Sequence, residues 1–194
     1  IALRAAFIVA SASNQVAIIT PTTLLSRQHY NNFQQRFRDL PFKVKQLSRF
    51  VSRQESLEVK EGLDDGTIDI VIGTHALLSE KVNFSKLGLV IIDEEQHFGV
   101  VHKERLKRLK SNVHVLTLTA TPIPRTLQLA LSGARDLSII STPPMDRYVI
   151  RTFVSEFDEL TIKDALMREH YRGGQSFFIV PRISDIDSIK LFLS

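Results

Sequence analysis

Asp93-Glu94-Glu95-Gln96 places three carboxylates and an amide directly after an apolar run, Leu87-Gly88-Leu89-Val90-Ile91-Ile92. The run reads as a buried strand. Acidic residues at the C-terminal tip of a parallel strand face the crevice where open α/β sheets bind ligands. There one carboxylate, Asp93, can hold Mg²⁺, and a second, Glu94, can orient a water against a nucleotide γ-phosphate. The rival reading is a polar loop that faces solvent. A second apolar strand, 113–118, ends in Thr119-Ala120-Thr121-Pro122, and the pairing of the two motifs favours the catalytic reading over the loop.

Gln96 stands where its amide can sense a γ-phosphate or reach the next motif. Thr119 and Thr121 flank the small Ala120 at a strand tip, a segment able to exchange hydrogen bonds between a nucleotide site and a neighbouring domain. Pro122 and Pro124 restrict it, and Arg125 follows as a further coupling candidate. Helix capping by Thr121 ahead of Pro122 is compatible with the same residues. Candidate DNA contacts are Thr22 and Thr23 after Pro21, and Gly73-Thr74-His75. Each lies between a strand and a helix, where backbone N–H groups and hydroxyls can meet a phosphate without reading base sequence. Ordinary capping explains each of them equally well when taken alone. Arg49 and Arg53 add positive charge nearby. The basic stretch 102–110 reads as a solvated helix face. His97 has no metal-ligand spacing to His75, His102 or His114.

The elements that must position these groups alternate. Val16 to Ile19 is a short strand that runs into the helix-start signal Thr20-Pro21-Thr22-Thr23. The following helix carries Leu25, Tyr30, Phe33 and Phe37 near one face. A strand is expected over 42–47, a helix over 54–63, and strands over 68–72, 87–92 and 113–118. This β-α order implies a mostly parallel sheet covered on both faces. Pro143-Pro144 mark a connector at 143–147. Beyond it come a strand over 148–154, a helix over 159–171, a Gly173-Gly174 turn, a strand over 176–180 and a helix over 186–193. The organisation read here is one α/β domain over 1–142 and the beginning of a second over 148–194.

Composition narrows the classes. Of 194 residues, 43 % are hydrophobic, enough for a core, and no stretch approaches the about 20 apolar residues of a membrane helix. The absence of cysteine excludes disulfides and Cys-ligated zinc and fits a cytoplasmic setting. A net charge of +4 is compatible with a phosphate-bearing partner.

The segments I-I-D-E-E-Q-H-F-G-V at 91–100 and L-T-A-T-P-I-P-R-T-L at 118–127 resemble superfamily 2 helicases, and within them the bacterial transcription-repair coupling factors. P-T-T-L-L-S-R-Q-H-Y at 21–30, L-S-R-F at 47–50, I-V-I-G-T-H-A-L-L-S at 70–79 and S-G-A-R-D-L at 132–137 agree, so the resemblance spans essentially the whole chain. Branch-migration helicases that remodel stalled forks share T-A-T-P-I-P-R-T but read D-E-Q-H-R-F-G-V; Glu95 ahead of Gln96-His97 favours the coupling factors. The resemblance implies two RecA-like lobes with ATP and Mg²⁺ between them, and ATP-driven movement along double-stranded DNA. It implies displacement of stalled RNA polymerase and recruitment of excision repair, through domains outside this chain. By position, Asp93 would organise Mg²⁺, Glu94 the water, and Gln96 with Thr119–Thr121 the coupling of nucleotide state to lobe movement. Thr22, Thr23, Thr74 and His75 would lie near the DNA backbone. The family's phosphate-binding loop, G-x-G-K-T-E, is expected just before a segment like residues 1–7, so the chain reads as a fragment expected to be inactive alone. A non-catalytic nucleic-acid-binding adaptor is the alternative from another class.

Overall fold

A computed structural model describes residues 1–94, 96, 98, 113–121, 136–142 and 150–193. The chain divides into two compact units, Ile1–Ser138 and Ile139–Ser194.

The first unit is built on a five-stranded parallel sheet. Its strands are β1 (Gln15–Ile19), β2 (Val44–Leu47), β3 (Ile70–Gly73), β4 (Leu87–Asp93) and β5 (His114–Leu118), in the order β2-β3-β1-β4-β5. Helices α1 (Ala2–Ser11), α2 (Thr23–Arg36) and α3 (Arg53–Asp64) cover it, with a 3-10 turn at His75–Leu78. β1 and β3 are buried at every position, which is why their sequences run apolar without alternation.

Side-chain direction nonetheless alternates along each strand. Val16, Ile18, Ile70, Ile72, Leu89 and Ile91 pack with Ala6, Ala10, Phe33 and Phe37 of the α1/α2 layer. Ala17, Ile19, Val71, Val90 and Ile92 pack on the other face with Val59 and Leu63 of α3 and with Leu77 and Leu78. Each fully buried Ile or Leu contributes roughly 1.5–3 kcal/mol.

Local chemistry starts the helices. Thr22 Oγ1 accepts from Leu25 N at 3.2 Å and caps α2. α3 begins with a capping box in which Glu55 N donates to Ser52 Oγ at 3.2 Å and Ser52 N donates to Glu55 Oε2 at 3.1 Å. Gln15 is only 3 % exposed. Its amide donates to Leu63 O and Ile68 O, both at 2.9 Å, and accepts from Lys86 N at 2.9 Å. One side chain thus satisfies buried backbone groups at the end of α3 and ahead of β3 and β4.

The strand expected over 42–47 begins only at Val44. Phe42 turns into an aromatic cluster instead, with ring centroids 6.0 Å from Phe7 and 5.9 Å from Phe37. The strand expected over 68–72 is displaced to Ile70–Gly73, since Ile68 N bonds to Gly62 O at 2.9 Å and closes the turn after α3.

The second unit contains α4 (Glu159–Tyr171), a 3-10 turn at Ile183–Asp185 and α5 (Ile186–Phe192). Asp158 caps α4, accepting from Thr161 N at 2.9 Å, and Gly173 takes φ +74° in the turn beyond. The strands expected over 148–154 and 176–180 are not formed among the described residues. A strand needs a hydrogen-bonding neighbour, and these apolar runs have none there: Val154 is 97 % and Phe177 91 % exposed.

Candidate functional site

β1 lies at the centre of the sheet, and the chain moves first to its β3 side and then to its β4 side. The carboxyl ends of β1 and β4 therefore flank the point where strand order reverses, the position at which open α/β sheets bind ligands. Asp93 ends β4 and is in register with Leu118 at the end of β5. Residues 89, 91 and 93 share one face of β4, and that face carries α2. There His29 Nε2 meets Asp93 Oδ2 at 2.9 Å.

Glu94 follows with φ +52°, in the left-handed region that costs a non-glycine residue about 1 kcal/mol or more. Its N–H donates to Leu118 O at 2.9 Å, and this bond across the strand tips holds the turn. Thr119 Oγ1 lies 3.0 Å from Glu94 Oε2 and 3.3 Å from Gln96 Oε1, and accepts from Thr121 N at 3.1 Å. Gln96 Nε2 donates to Glu94 Oε2 and, at 3.1 Å, to Thr121 Oγ1. Phe98, 6 % exposed, sits in the core beneath. The two motifs read from the sequence thus meet in one polar network across adjacent strand tips. Ala120 is exposed and acts here as a small spacer. Arg125, along with Glu95, His97, Pro122 and the stretch 102–110, lies outside the described residues.

Among the described residues, no group of three or more histidine, aspartate or glutamate side chains could cage a metal ion. A carboxylate pair at a strand tip fits Mg²⁺ that arrives with a nucleotide, because that ion takes one or two carboxylates and completes its shell with phosphate oxygens and water.

A separate cleft of about 710 Å³ lies between the ends of β1, β2 and β3. Thr22, Thr23, Arg49, Thr74 and His75 line it together, so five candidates from distant stretches of sequence converge. Gly73 lies behind them. A Cβ there would come within 2.4 Å of Leu47 O and 2.9 Å of Leu77 Cγ, so glycine is required for this close approach of backbones. Arg53 is not among the lining residues; Ser48, Ser56 and Lys60 are. Ser56 and Lys60 stand one turn apart on α3, a spacing that marks them as neighbours on one helix face. No carboxylate lines the cleft among the described residues. Behind it Thr20, fully buried, ties β1 to β3, with N–H to Gly73 O at 2.9 Å and Oγ1 3.1 Å from Thr22 O.

Parallel strand order, the acidic strand tip and its threonine-rich partner are those of a helicase core, and the DEAD/DEAH box helicase family model matches residues 1–130. The chain belongs to that family. Over 194 aligned residues it is 54 % identical to the transcription-repair-coupling factor of Rickettsia bellii, covering 98 % of this chain and 17 % of that protein. Over 187 residues it is 52 % identical to the transcription-repair-coupling factor of Bacillus subtilis, covering 96 % of this chain and 16 % of that one. The chain therefore spans about one sixth of the length of these relatives. A structure of RecG bound to a three-way DNA junction matches with a TM-score of 0.75 at 34 % identity, covering 99 % of this chain and 26 % of that one. The sheet of the first unit is RecA-like.

Proposed function

We propose that this chain is part of the motor of an ATP-dependent double-stranded DNA translocase that displaces stalled RNA polymerase in transcription-coupled repair. It would act within a protein of the length of its coupling-factor relatives. The observation that carries this reading is the network joining Glu94 and Gln96 to Thr119 and Thr121 at the strand-order reversal. Identity of 54 % to a coupling factor supports it.

Asp93 is the residue that would hold Mg²⁺. When bound with ATP, that ion supplies positive charge at the β- and γ-phosphates. Glu94 orients the attacking water and accepts its proton. Its carboxylate is held for this by Thr119 and Gln96, which keep it at the strand tip. Gln96 contacts both Glu94 and Thr121, so a change at one is felt at the other; this is the arrangement needed to link hydrolysis to movement. Thr22, Thr23, Thr74, His75, Arg49 and Lys60 contact the DNA backbone in the cleft, where hydroxyls and cations suit phosphate and carry no base specificity.

The test is removal of a stalled RNA polymerase from DNA by the full-length protein with ATP and Mg²⁺. Release that requires ATP and disappears in Glu94→Gln supports the proposal; release without ATP contradicts it. A second reading, a fork-remodelling helicase, is favoured by the 34 % identical RecG structure. Regression of a model replication fork with no effect on stalled polymerase would select it.

A further inference from the structure

We propose that His29 is a positioning residue for Asp93: from α2 it fixes the orientation of the carboxylate and thereby sets how readily Mg²⁺ binds. The proposal rests on the site reading above and adds a residue to it.

His29 Nε2 lies 2.9 Å from Asp93 Oδ2, across 64 residues of sequence. Both side chains are partly shielded, with 25 % of His29 and 19 % of Asp93 exposed, so the contact is not a mobile surface pair. Among the described residues His29 is the side-chain hydrogen-bond partner of Asp93, and it engages one oxygen. Oδ1 is the oxygen then available to a metal. An aspartate at a strand tip has a carboxylate free to swing about χ2. A donor fixed on one oxygen removes that freedom before the ion arrives.

The donor itself is fixed. α2 is capped at Thr22 and locked into the core by Phe33 and Phe37, whose rings stack 5.6 Å apart. Ser26, fully buried one turn before His29, accepts from Gln46 Nε2 at 3.1 Å. Residues 26, 29 and 33 follow the i, i+3, i+7 spacing of one helix stripe, and that stripe faces the sheet. His29, between them, is its partly exposed member and reaches the β4 tip at Asp93. Hydrogen-bonded partners of ligating carboxylates commonly change metal affinity or activity by about 10- to 100-fold when removed.

The experiment titrates Mg²⁺ into the full-length protein and measures binding of a fluorescent, non-hydrolysable ATP analogue. His29→Leu is expected to raise the Mg²⁺ concentration for half-maximal binding by about tenfold or more. Affinity for the analogue in EDTA should stay at the wild-type value. His29→Gln retains an N–H donor with similar reach and is expected to restore most of the Mg²⁺ affinity. His29→Asn keeps polarity but falls short of Asp93, and is expected to resemble His29→Leu; it serves as the test where leucine impairs folding. An unchanged Mg²⁺ requirement in His29→Leu or His29→Asn overturns the proposal. So does a Gln variant as defective as Asn. The hydrolysis reading is judged separately: wild-type turnover in Glu94→Gln contradicts it whatever the Mg²⁺ titration gives.

Discussion

Thr119 Oγ1, on the tip of β5, lies 3.0 Å from Glu94 Oε2, on the tip of β4. The bond crosses the gap between the two motifs, so Glu94 is held from the β5 side, which also carries Thr121, the partner of Gln96. Thr119→Val preserves shape and removes the hydroxyl. It is expected to lower translocation more than hydrolysis, because the orienting contact from Gln96 remains while the direct side-chain bond from Glu94 to β5 is lost. Triplex displacement and phosphate release measured together on the full-length protein check this. An equal fall in both would place Thr119 in hydrolysis alone.

The cleft predicts a salt signature. Lys60 lines it with Arg49 and His75. Lys60→Ala should weaken double-stranded DNA binding uniformly across sequences. It should reduce the slope of log affinity against log salt by about 1. A loss that varies strongly with base sequence would contradict backbone contact.

Two substitutions test the scaffold under the site. Gly73→Ala drives a methyl group to 2.4 Å from Leu47 O, a backbone atom that cannot step aside, and should cost about 1–3 kcal/mol. Gln15→Leu fills the space but strands Ile68 O and the Lys86 N–H, while Leu63 O keeps its bond from Ser85 N at 3.0 Å. It should cost about 2 kcal/mol or more at roughly 1–3 kcal/mol per orphaned group. Chemical denaturation of each variant against wild type reads both. A change within about 0.5 kcal/mol for either would contradict the packing described.

Acid should loosen α3 through its capping box. The hydrogen bonds from the Ser52 side chain and backbone hold the Glu55 carboxyl below its ordinary value. A carboxyl whose folded pKa is depressed adds stability above its unfolded pKa and loses it as pH falls through the folded value. The contribution is therefore present at neutral pH and fades below about pH 4. Glu55→Gln should flatten that part of the pH–stability curve, and an unchanged curve would argue against the box.

The sequence was most readable where one physical demand dominates. Burial on both faces forces apolar runs, and β1, β3 and β4 stand in such runs. The place of Asp93 and Glu94 at a strand tip was legible because the apolar run of a buried strand ends directly at them. Capping chemistry announced α2 at Thr22. The contacts that complete the site were not legible, because they join distant positions: His29 to Asp93, Thr20 to Gly73, Gln15 to Leu63. A signal for His29 did exist. Odd-numbered residues of β4 share the α2 face, and His29 continues the Ser26–Phe33 stripe, but only the observed packing brings the two patterns to one height. Lys60 was hidden in the same way, since its neighbour Ser56 is visible from helical spacing while the cleft is not. The runs at 150–154 and 176–180 mislead for the opposite reason. Their composition satisfies a strand pattern, but a strand also requires a partner, and hydrophobicity alone does not supply one.

The central claim is that Glu94 handles the water and Asp93 the metal, and one comparison tests it directly: ATP affinity against ATP turnover in the full-length protein and its Glu94→Gln variant, with Mg²⁺ and double-stranded DNA present. The account predicts that binding stays within a fewfold of wild type while turnover falls by about 10²- to 10⁴-fold. Turnover at the wild-type rate, or a loss of ATP affinity as large as the loss of turnover, would contradict it.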